Sequence, residues 1–480
     1  MVRPASPALL DELESLLGPR GFTRDEEAMA PWLSDWRGRY HGRSAALLSP
    51  ASAGEVQAIV AGCAREGVAL VPQGGNTSMV GGATPEEAGG LLLSLRRMKA
   101  IRSVSVEDNV ATVEAGVVLS DLHDAAAEAG RRFPLSLAAK GSATVGGLVS
   151  TNAGGTQVLR FGPMRSLVLG LEAVLPDGSL FEGLSPLRKD NRGYDIKQLL
   201  IGAEGTLGVV TAASLKLVAA PGSSAVAWVG LASPAAALAL LRRLEARLGD
   251  SVESFELVPK DALALVLAGI PGTRAPLAGE PLWNVLVESV APEGARDAAE
   301  ALQEALAAAL DEGLAEDATV AASEAQAAAL WRLRESIAEA ERLNGPSVKH
   351  DVSVPVSAMP AFIERARAEV EARFDGARVV AFGHLGDGNV HLSVQPPAAA
   401  EAEPWLAAQG GAVTRIVHDL VGAAGGSISA EHGIGQMKLA ELARTMAPAR
   451  LAALRAVKRA LDPAGIMNPG KLLPPLGDGR

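Results

Sequence analysis

Apolar positions along this chain fall into two textures. Up to about residue 220, short runs closed by glycine, at 68–71, 111–115, 167–175 and 207–211, have the length and composition of strands. Stretches of helical period at 55–66 and 119–129 lie between them, which predicts a mixed α and β domain. Beyond Ala219-Ala-Pro-Gly-Ser-Ser224, long alanine-rich segments of helical period take over at 232–248, 294–311 and 321–343. Strand-like runs at 283–289 and 378–382 interrupt them, and the change places a domain boundary near 220. Residues 451–461 read as a last helix, followed by the turn-rich Asp462-Pro-Ala-Gly-Ile-Met-Asn-Pro-Gly-Lys471. No segment repeats at a fixed period, so a solenoid is excluded.

Length and charge narrow the class. A chain of 480 residues that is 48% hydrophobic predicts two or three packed domains. The formal charge of -11 is spread along the chain without a basic stripe, so nucleic acid is not an expected partner. No unbroken apolar stretch reaches the roughly 18 residues of a membrane span. The segment after Met1-Val-Arg-Pro-Ala-Ser is broken by Asp11, Glu12 and Glu14, unlike a secretory leader. The single cysteine, Cys63, excludes an intramolecular disulfide framework and sits in an amphipathic helical pattern as a small buried residue. A cytoplasmic location is the expectation.

Three glycine-rich segments carry the first functional signal. Pro72-Gln-Gly-Gly-Asn-Thr-Ser-Met-Val-Gly-Gly82 follows a strand-like run, and its glycines allow successive N–H groups to turn inward around an anion. Gly141-Ser-Ala-Thr-Val-Gly-Gly-Leu-Val-Ser-Thr-Asn-Ala-Gly-Gly155 and Ile201-Gly-Ala-Glu-Gly-Thr-Leu-Gly-Val-Val210 repeat that chemistry within one domain. Each glycine costs conformational entropy, so three such loops predict a large phosphate-bearing cofactor. No G-x-G-x-x-G opens a helix after the first strand, which argues against a Rossmann site. Gly465-Ile-Met-Asn-Pro-Gly-Lys-Leu472 looks like a Walker A loop, but Leu472 replaces the hydroxyl residue and no helix follows.

The second signal is a histidine and carboxylate cluster. Three of the seven histidines fall in Phe382-Gly-His-Leu-Gly-Asp-Gly-Asn-Val-His-Leu-Ser393 and Ser429-Ala-Glu-His-Gly-Ile-Gly435. The first segment reads as strand, turn, strand, so a hairpin brings His384 and His391 to one side. With Glu431 they form a two-His, one-carboxylate set with open positions, suited to Zn first and also to Mn, Fe or Co. The adjacent His432 then points elsewhere and is available as a general base. Asp387 is assigned to the turn itself.

These motifs together resemble the FAD-linked D-2-hydroxyacid dehydrogenases among the vanillyl-alcohol-oxidase-type flavoproteins, a group spanning D-2-hydroxyglutarate and D-lactate dehydrogenases and the glycolate oxidase catalytic subunit. The resemblance rests on Pro72-Gln-Gly-Gly-Asn-Thr-Ser, Gly202-Ala-Glu-Gly-Thr-Leu-Gly, Gly383-His-Leu-Gly-Asp-Gly-Asn-Val-His391 and Ser429-Ala-Glu-His-Gly-Ile-Gly435, and runs from about residue 40 to the end. It implies an α+β protein with a vanillyl-alcohol-oxidase-type FAD-binding domain and a cap domain of mainly antiparallel sheet with flanking helices. The implied segments are an N-terminal helical piece (1–40), the FAD domain (41–220), a cap carrying substrate and metal (221–450) and a tail returning to the flavin (451–480).

By the same resemblance FAD is held by Pro72, Gly74, Gly75, Asn76, Thr77, Ser78, Val80, Gly81 and Gly82 of the first loop. The second contributes Gly141, Ser142, Ala143, Gly146, Gly147, Ser150, Asn152, Ala153, Gly154 and Gly155, and the third Gly202, Glu204, Gly205, Gly208 and Val209, with Asn468 from the tail. Asn76 occupies the region where some relatives carry a flavin-linking histidine, so the FAD is expected to be non-covalent. His384, His391 and Glu431 map to metal ligands, His432 to the base, and Arg334 and Lys349 to cations that hold the substrate carboxylate. Ala338 and Ser393 depart from the pattern for a 2-hydroxyglutarate-specific site, where threonine and asparagine are familiar.

The expected reaction is oxidation of a D-2-hydroxy acid to the 2-oxo acid, D-2-hydroxyglutarate first and D-lactate or glycolate as the alternative. An electron-transfer flavoprotein or a quinone is the expected acceptor, and a homodimer the expected assembly. Two rivals are weaker: a non-redox flavin transferase, whose histidine-rich loop is missing here, and a non-catalytic flavin-binding subunit, which would have no use for the metal set.

Overall fold

The computed structural model describes residues 3–86 and 89–474. The chain forms two compact units, one of residues 1–154, 162–219 and 431–480, the other of 155–161 and 220–430.

In the first unit, strands Ala46–Leu48, Leu91–Ser94 and Leu70–Gln73 run parallel, and the short Phe22–Thr23 closes that sheet antiparallel to Ala46–Leu48. The helix Ala53–Glu66 covers it for reasons visible in its residues. Ser52 accepts the N–H of Glu55 as N-cap, Gly67 ends the helix in the left-handed region at φ 71°, and Val56, Ile59, Val60 and Cys63 form its buried stripe. A second, five-stranded sheet is antiparallel throughout, in the order Ile101–Ser105, Val110–Glu114, Val209–Lys216, Val168–Val174, Leu180–Gly183. The tail joins the first sheet along Leu70, whose N–H donates to Ile466 and whose carbonyl accepts from Asn468.

The second unit is built on one antiparallel seven-stranded sheet, ordered Asp317–Val320, Ser223–Leu231, Trp283–Ala291, Val252–Pro259, Arg378–His384, Asn389–Gln395, Val348–Ser353. Alternation along the strands gives it two faces. Phe255, Leu257, Val285, Val287, Val379 and Ala381 face helices Pro234–Leu248, Ala298–Asp311, Met359–Arg373 and Ala402–Ala423. Val226, Trp228, Val258, Leu286, Val380 and Phe382 face helices Lys260–Gly269, Glu324–Glu335 and Ile337–Leu343. The segment 321–343, one helix by periodicity, is two helices with Ser336 between them.

The division differs from the sequence boundaries in three places. The helix Pro7–Gly21 is not a separate piece: Leu9, Leu10, Leu13 and Leu17 share the core of Leu48, Leu70 and Leu91. Residues 155–161 belong with the second unit, because Gln157 Nε2 and Arg160 Nη1 donate to the buried Glu253 carboxylate at 2.7 and 2.9 Å. The return to the first unit begins at 431 rather than 451, held by Gln436 Nε2 on the carbonyls of Gly81 and Thr84. Among the described residues no helix is long and apolar enough to cross a membrane.

Two predictions test these cores. Trp228 is fully buried and its indole N–H donates to Asn284 Oδ1 at 2.9 Å. Trp228→Phe leaves that oxygen without its donor and should cost about 1–3 kcal/mol in thermal unfolding; an unchanged midpoint would show the bond to be inconsequential. Burial pushes the Cys63 thiol up to about 12, the nearby Glu66 adding to the effect. The native protein should therefore resist iodoacetamide at pH 8 and react only when unfolded, since the thiolate is the nucleophile.

Candidate active site

The glycine loops of the first unit come together around one open cleft. Pro72, Gly74, Ser78, Gly82, Gly146, Gly147, Ser150, Glu204, Gly205, Gly208 and Val209 line it, as do Gln73, Thr151 and Val210, which lie in the same three segments but were not assigned to FAD. Close approach requires the glycines: a Cβ on Gly75 would strike the Ser142 carbonyl, and one on Gly74 the Thr144 hydroxyl. Gln73 Oε1, Thr144 Oγ1 and Asn468 Oδ1 are buried without a hydrogen-bond partner among the described residues. Unsatisfied polar atoms and bare backbone around a cleft fit a polar, phosphate-bearing cofactor better than a packed core.

Other expected cofactor residues act at one remove. Asn76 Nδ2 donates to the carbonyls of Pro31 and Ser34, and Asn152 Oδ1 accepts the Arg165 N–H. Asn468 Nδ2 donates to the carbonyls of Gly82 and Glu204 at 2.9 and 2.6 Å, tying the tail to the first and third loops. Asn76, Asn152, Glu204 and Asn468 all have positive φ, between 40° and 54°, a conformation non-glycine residues hold only when their surroundings impose it. Thr77, Val80, Gly81, Gly141, Ala143, Ala153, Gly154 and Gly202 do not line the cleft, and Gly155 falls in the second unit.

His432 lines the same cleft. The loop that carries it is fixed by Glu204, whose two carboxylate oxygens accept the N–H groups of Ile434 and Gly435 at 2.8 Å each. Burial pushes the Glu204 carboxyl up and these two hydrogen bonds pull it back. Its motif suggested a cofactor contact, and the side chain also serves as a clamp on the segment after His432.

In the second unit the sheet register assembles His384, His391 and Lys349 on a single face. Glu256 pairs with His384, His391 lies between Phe382 and Asp351, and Ser393 lies opposite Lys349. The His384 and His391 rings stand 5.5 Å apart at 80°. The Glu256 carboxylate, fully buried, meets His384 Nδ1 at 2.6 Å through one oxygen and Arg334 through the other, with Nη2 at 2.7 Å. Burial alone would push the Glu256 carboxyl up; the charges and hydrogen bonds of His384 and Arg334 outweigh it and hold it at about 2. An ionised carboxylate only accepts, so His384 Nδ1 carries a proton, and in the neutral ring that tautomer presents Nε2 as the acceptor. That is the arrangement in which a carboxylate orients a metal-binding histidine.

Arg334 also lies over the Phe382 ring, 5.0 Å from its centroid. Lys349 Nζ pairs with Glu341 Oε2 at 3.1 Å. Asp387 accepts the Asn389 N–H at 3.0 Å, an Asx turn that closes the hairpin. Glu431 follows Ala430, the last residue of this unit, and Ser427 is hydrogen-bonded in both directions to Ser353. Neither Glu256 nor Glu341 was singled out by motif. The available signal was a charge at a position whose strand or helical period calls for an apolar residue.

Comparison with known proteins identifies the family. The family model described as FAD linked oxidases, C-terminal domain, matches residues 220–472, and the FAD binding domain model matches 44–183. D-2-hydroxyglutarate dehydrogenase of Xanthomonas citri pv. viticola is 40% identical over 438 residues, covering 91% of each chain. The mitochondrial D-2-hydroxyglutarate dehydrogenase of Bos taurus is 39% identical over 475 residues, 98% of this chain and 85% of the relative. Among solved structures, an alkyldihydroxyacetonephosphate synthase superposes with TM-score 0.74 at 16% identity, over 98% of this chain and 86% of that one. p-Cresol methylhydroxylase with substrate bound gives 0.71 at 15% identity over the whole of both chains, a likeness of fold alone. The chain belongs to the FAD-linked oxidase family, as an FAD-dependent oxidoreductase of the vanillyl-alcohol-oxidase-type fold in the D-2-hydroxyacid dehydrogenase group.

Proposed function

We propose that this enzyme oxidises a D-2-hydroxy acid to the corresponding 2-oxo acid, with non-covalent FAD as oxidant and a divalent metal, zinc first, bound by His384, His391 and Glu431. The observation that carries the reading is His432 on the wall of the glycine-loop cleft, its loop fixed by Glu204. When bound in the glycine-loop cleft FAD would supply a two-electron acceptor, and a metal held by His384, His391 and Glu431 would supply a Lewis acid.

The chain's own residues do the rest. His432 accepts the hydroxyl proton on a ring nitrogen, so that loss of proton and hydride together leaves the carbonyl. Arg334 and Lys349 orient the substrate anion, the first as a planar fork and the second as a point charge. Glu256 keeps Arg334 and the His384 ring in place from a fully buried position. The metal assignment draws support from the donor set: two adjacent imidazoles, one backed by a carboxylate, and a glutamate four residues along the chain from the Ser427–Ser353 pairing.

D-2-hydroxyglutarate is the first substrate to try, given the named relatives. D-lactate or glycolate is the second reading, favoured by one observation, the Glu341 carboxylate already paired with Lys349. An electron-transfer flavoprotein or a quinone is the proposed acceptor.

Anaerobic flavin absorbance tests the activity. Addition of D-2-hydroxyglutarate, D-lactate or glycolate should bleach the flavin of the wild-type holoenzyme, prior EDTA should suppress the bleaching, and His432→Ala should keep its flavin but lose reduction by at least about a hundredfold. A yellow protein bleached by none of these acids would refute the activity, and bleaching indifferent to EDTA would refute the metal. Glu204→Gln replaces one of two acceptor oxygens with a donor, so one loop N–H loses its partner. Flavin content should be retained while the reduction rate falls about tenfold or more, corresponding to a loss of about 1–3 kcal/mol; an unchanged rate would show that the clamp does not position His432.

A further inference from the structure

We infer that Glu341 is a specificity-determining residue, which penalises a second carboxylate at the far end of the substrate and widens the enzyme's acceptance to monocarboxylic 2-hydroxy acids with neutral, hydrogen-bond-donating tails. The inference rests on the reading above of Lys349 as a substrate-holding cation.

The position itself is unusual. Leu330, Leu333, Ile337 and Ala340 form the buried stripe of helices Glu324–Glu335 and Ile337–Leu343, packed on the sheet face that carries His384 and His391. Glu341 continues that stripe, four residues after Ile337 and seven after Arg334, where helical period calls for an apolar side chain. It is only 3% exposed. A carboxylate there carries a desolvation cost that core packing does not repay.

Its two oxygens are used unequally. Oε2 lies 3.1 Å from Lys349 Nζ, while Oε1 is buried with no hydrogen-bond partner among the described residues. Lys349 stands in register with Ser393, one step along the strands beyond the Asp351–His391 pair on the same sheet face, so with C2 at a metal on His391 it meets the far end of the substrate. A substrate carboxylate approaching Lys349 would therefore meet a charge already compensated and a second, like-charged oxygen beside it. A hydroxyl or other neutral donor would instead satisfy Oε1. Ala338 is exposed and apolar, and Ser393 offers a short hydroxyl, so neither adds a strong donor for a distal carboxylate.

Stopped-flow flavin reduction of wild type, Glu341→Gln and Glu341→Leu, with D-2-hydroxyglutarate and D-lactate measured in parallel, decides the matter. Gln keeps the shape without the charge, and Leu restores the residue type the helix calls for. In both, the ratio of kcat/KM for D-2-hydroxyglutarate to that for D-lactate should rise about tenfold, chiefly through KM. Flavin absorbance perturbation by 2-oxoglutarate and by pyruvate should shift in the same ratio without turnover. A ratio that stays constant or falls, with both acids changing in parallel, overturns the inference while leaving the activity intact. A wild-type enzyme that no 2-hydroxy acid reduces overturns the activity and this inference with it.

Discussion

A carboxylate withdrawn from water must be compensated, and each unit is organised around one such requirement. Glu256 has no exposed surface, and its compensating partners are Arg334 and His384, two of the groups on which substrate and metal binding are proposed to depend. Removing Arg334 would leave the buried carboxylate without its permanently charged partner, a loss far larger than a surface ion pair is worth. The energetic demand of a core residue thus fixes the geometry of the site above it. In the first unit Glu204 plays the corresponding part, with backbone N–H groups of the His432 loop as its partners. Both carboxylates hold functional groups without needing to touch substrate.

The second constraint is the period of a β-sheet. Side chains alternate between faces, so only residues in matching register can meet on one side. The hairpin turn Leu385–Gly388 is closed by Asp387 and by Gly388, whose φ of 82° and contact with the Val354 carbonyl exclude a side chain. This sets Phe382 opposite His391. A one-residue slip would send His391 to the opposite face, among Leu392 and Val394 and the helices there. The turn sequence is therefore as necessary to the histidine pair as the histidines are.

These features were unequally legible in the sequence. The hairpin could be read because a glycine-rich turn between two β-like runs has a local signature, and the FAD loops because clustered glycines need a reason. The buried stripe of Ala53–Glu66 follows from apolar spacing and two caps that lie within the helix's own residues. The return of the chain at 431 was less visible, since it depends on Glu204, some 230 residues earlier, accepting two backbone N–H groups that no side-chain pattern announces. Residues 155–161 likewise look like the end of a glycine loop. Only Glu253, on a strand far along the chain, draws them into the second unit.

Glu256 and Glu341 show why the rest of the site could not be read locally. The strand Val252–Pro259 is buried on both faces, and in such a strand Glu253, Ser254 and Glu256 interrupt what should be a continuous apolar run. The interruption signals that a partner exists without saying which one. Glu256 lies 78 residues from Arg334 and 128 from His384, and the match is made by sheet order, which no short window of sequence contains. A polar residue that breaks an apolar period therefore deserves the same weight as a motif: it costs free energy where it stands, and the structure must return that energy through a specific partner. In this chain the break at Glu256 and the His384–His391 hairpin meet on one sheet face, and the breaks at Glu256 and Glu341 identify the residues that orient the motif's histidine and the two cations.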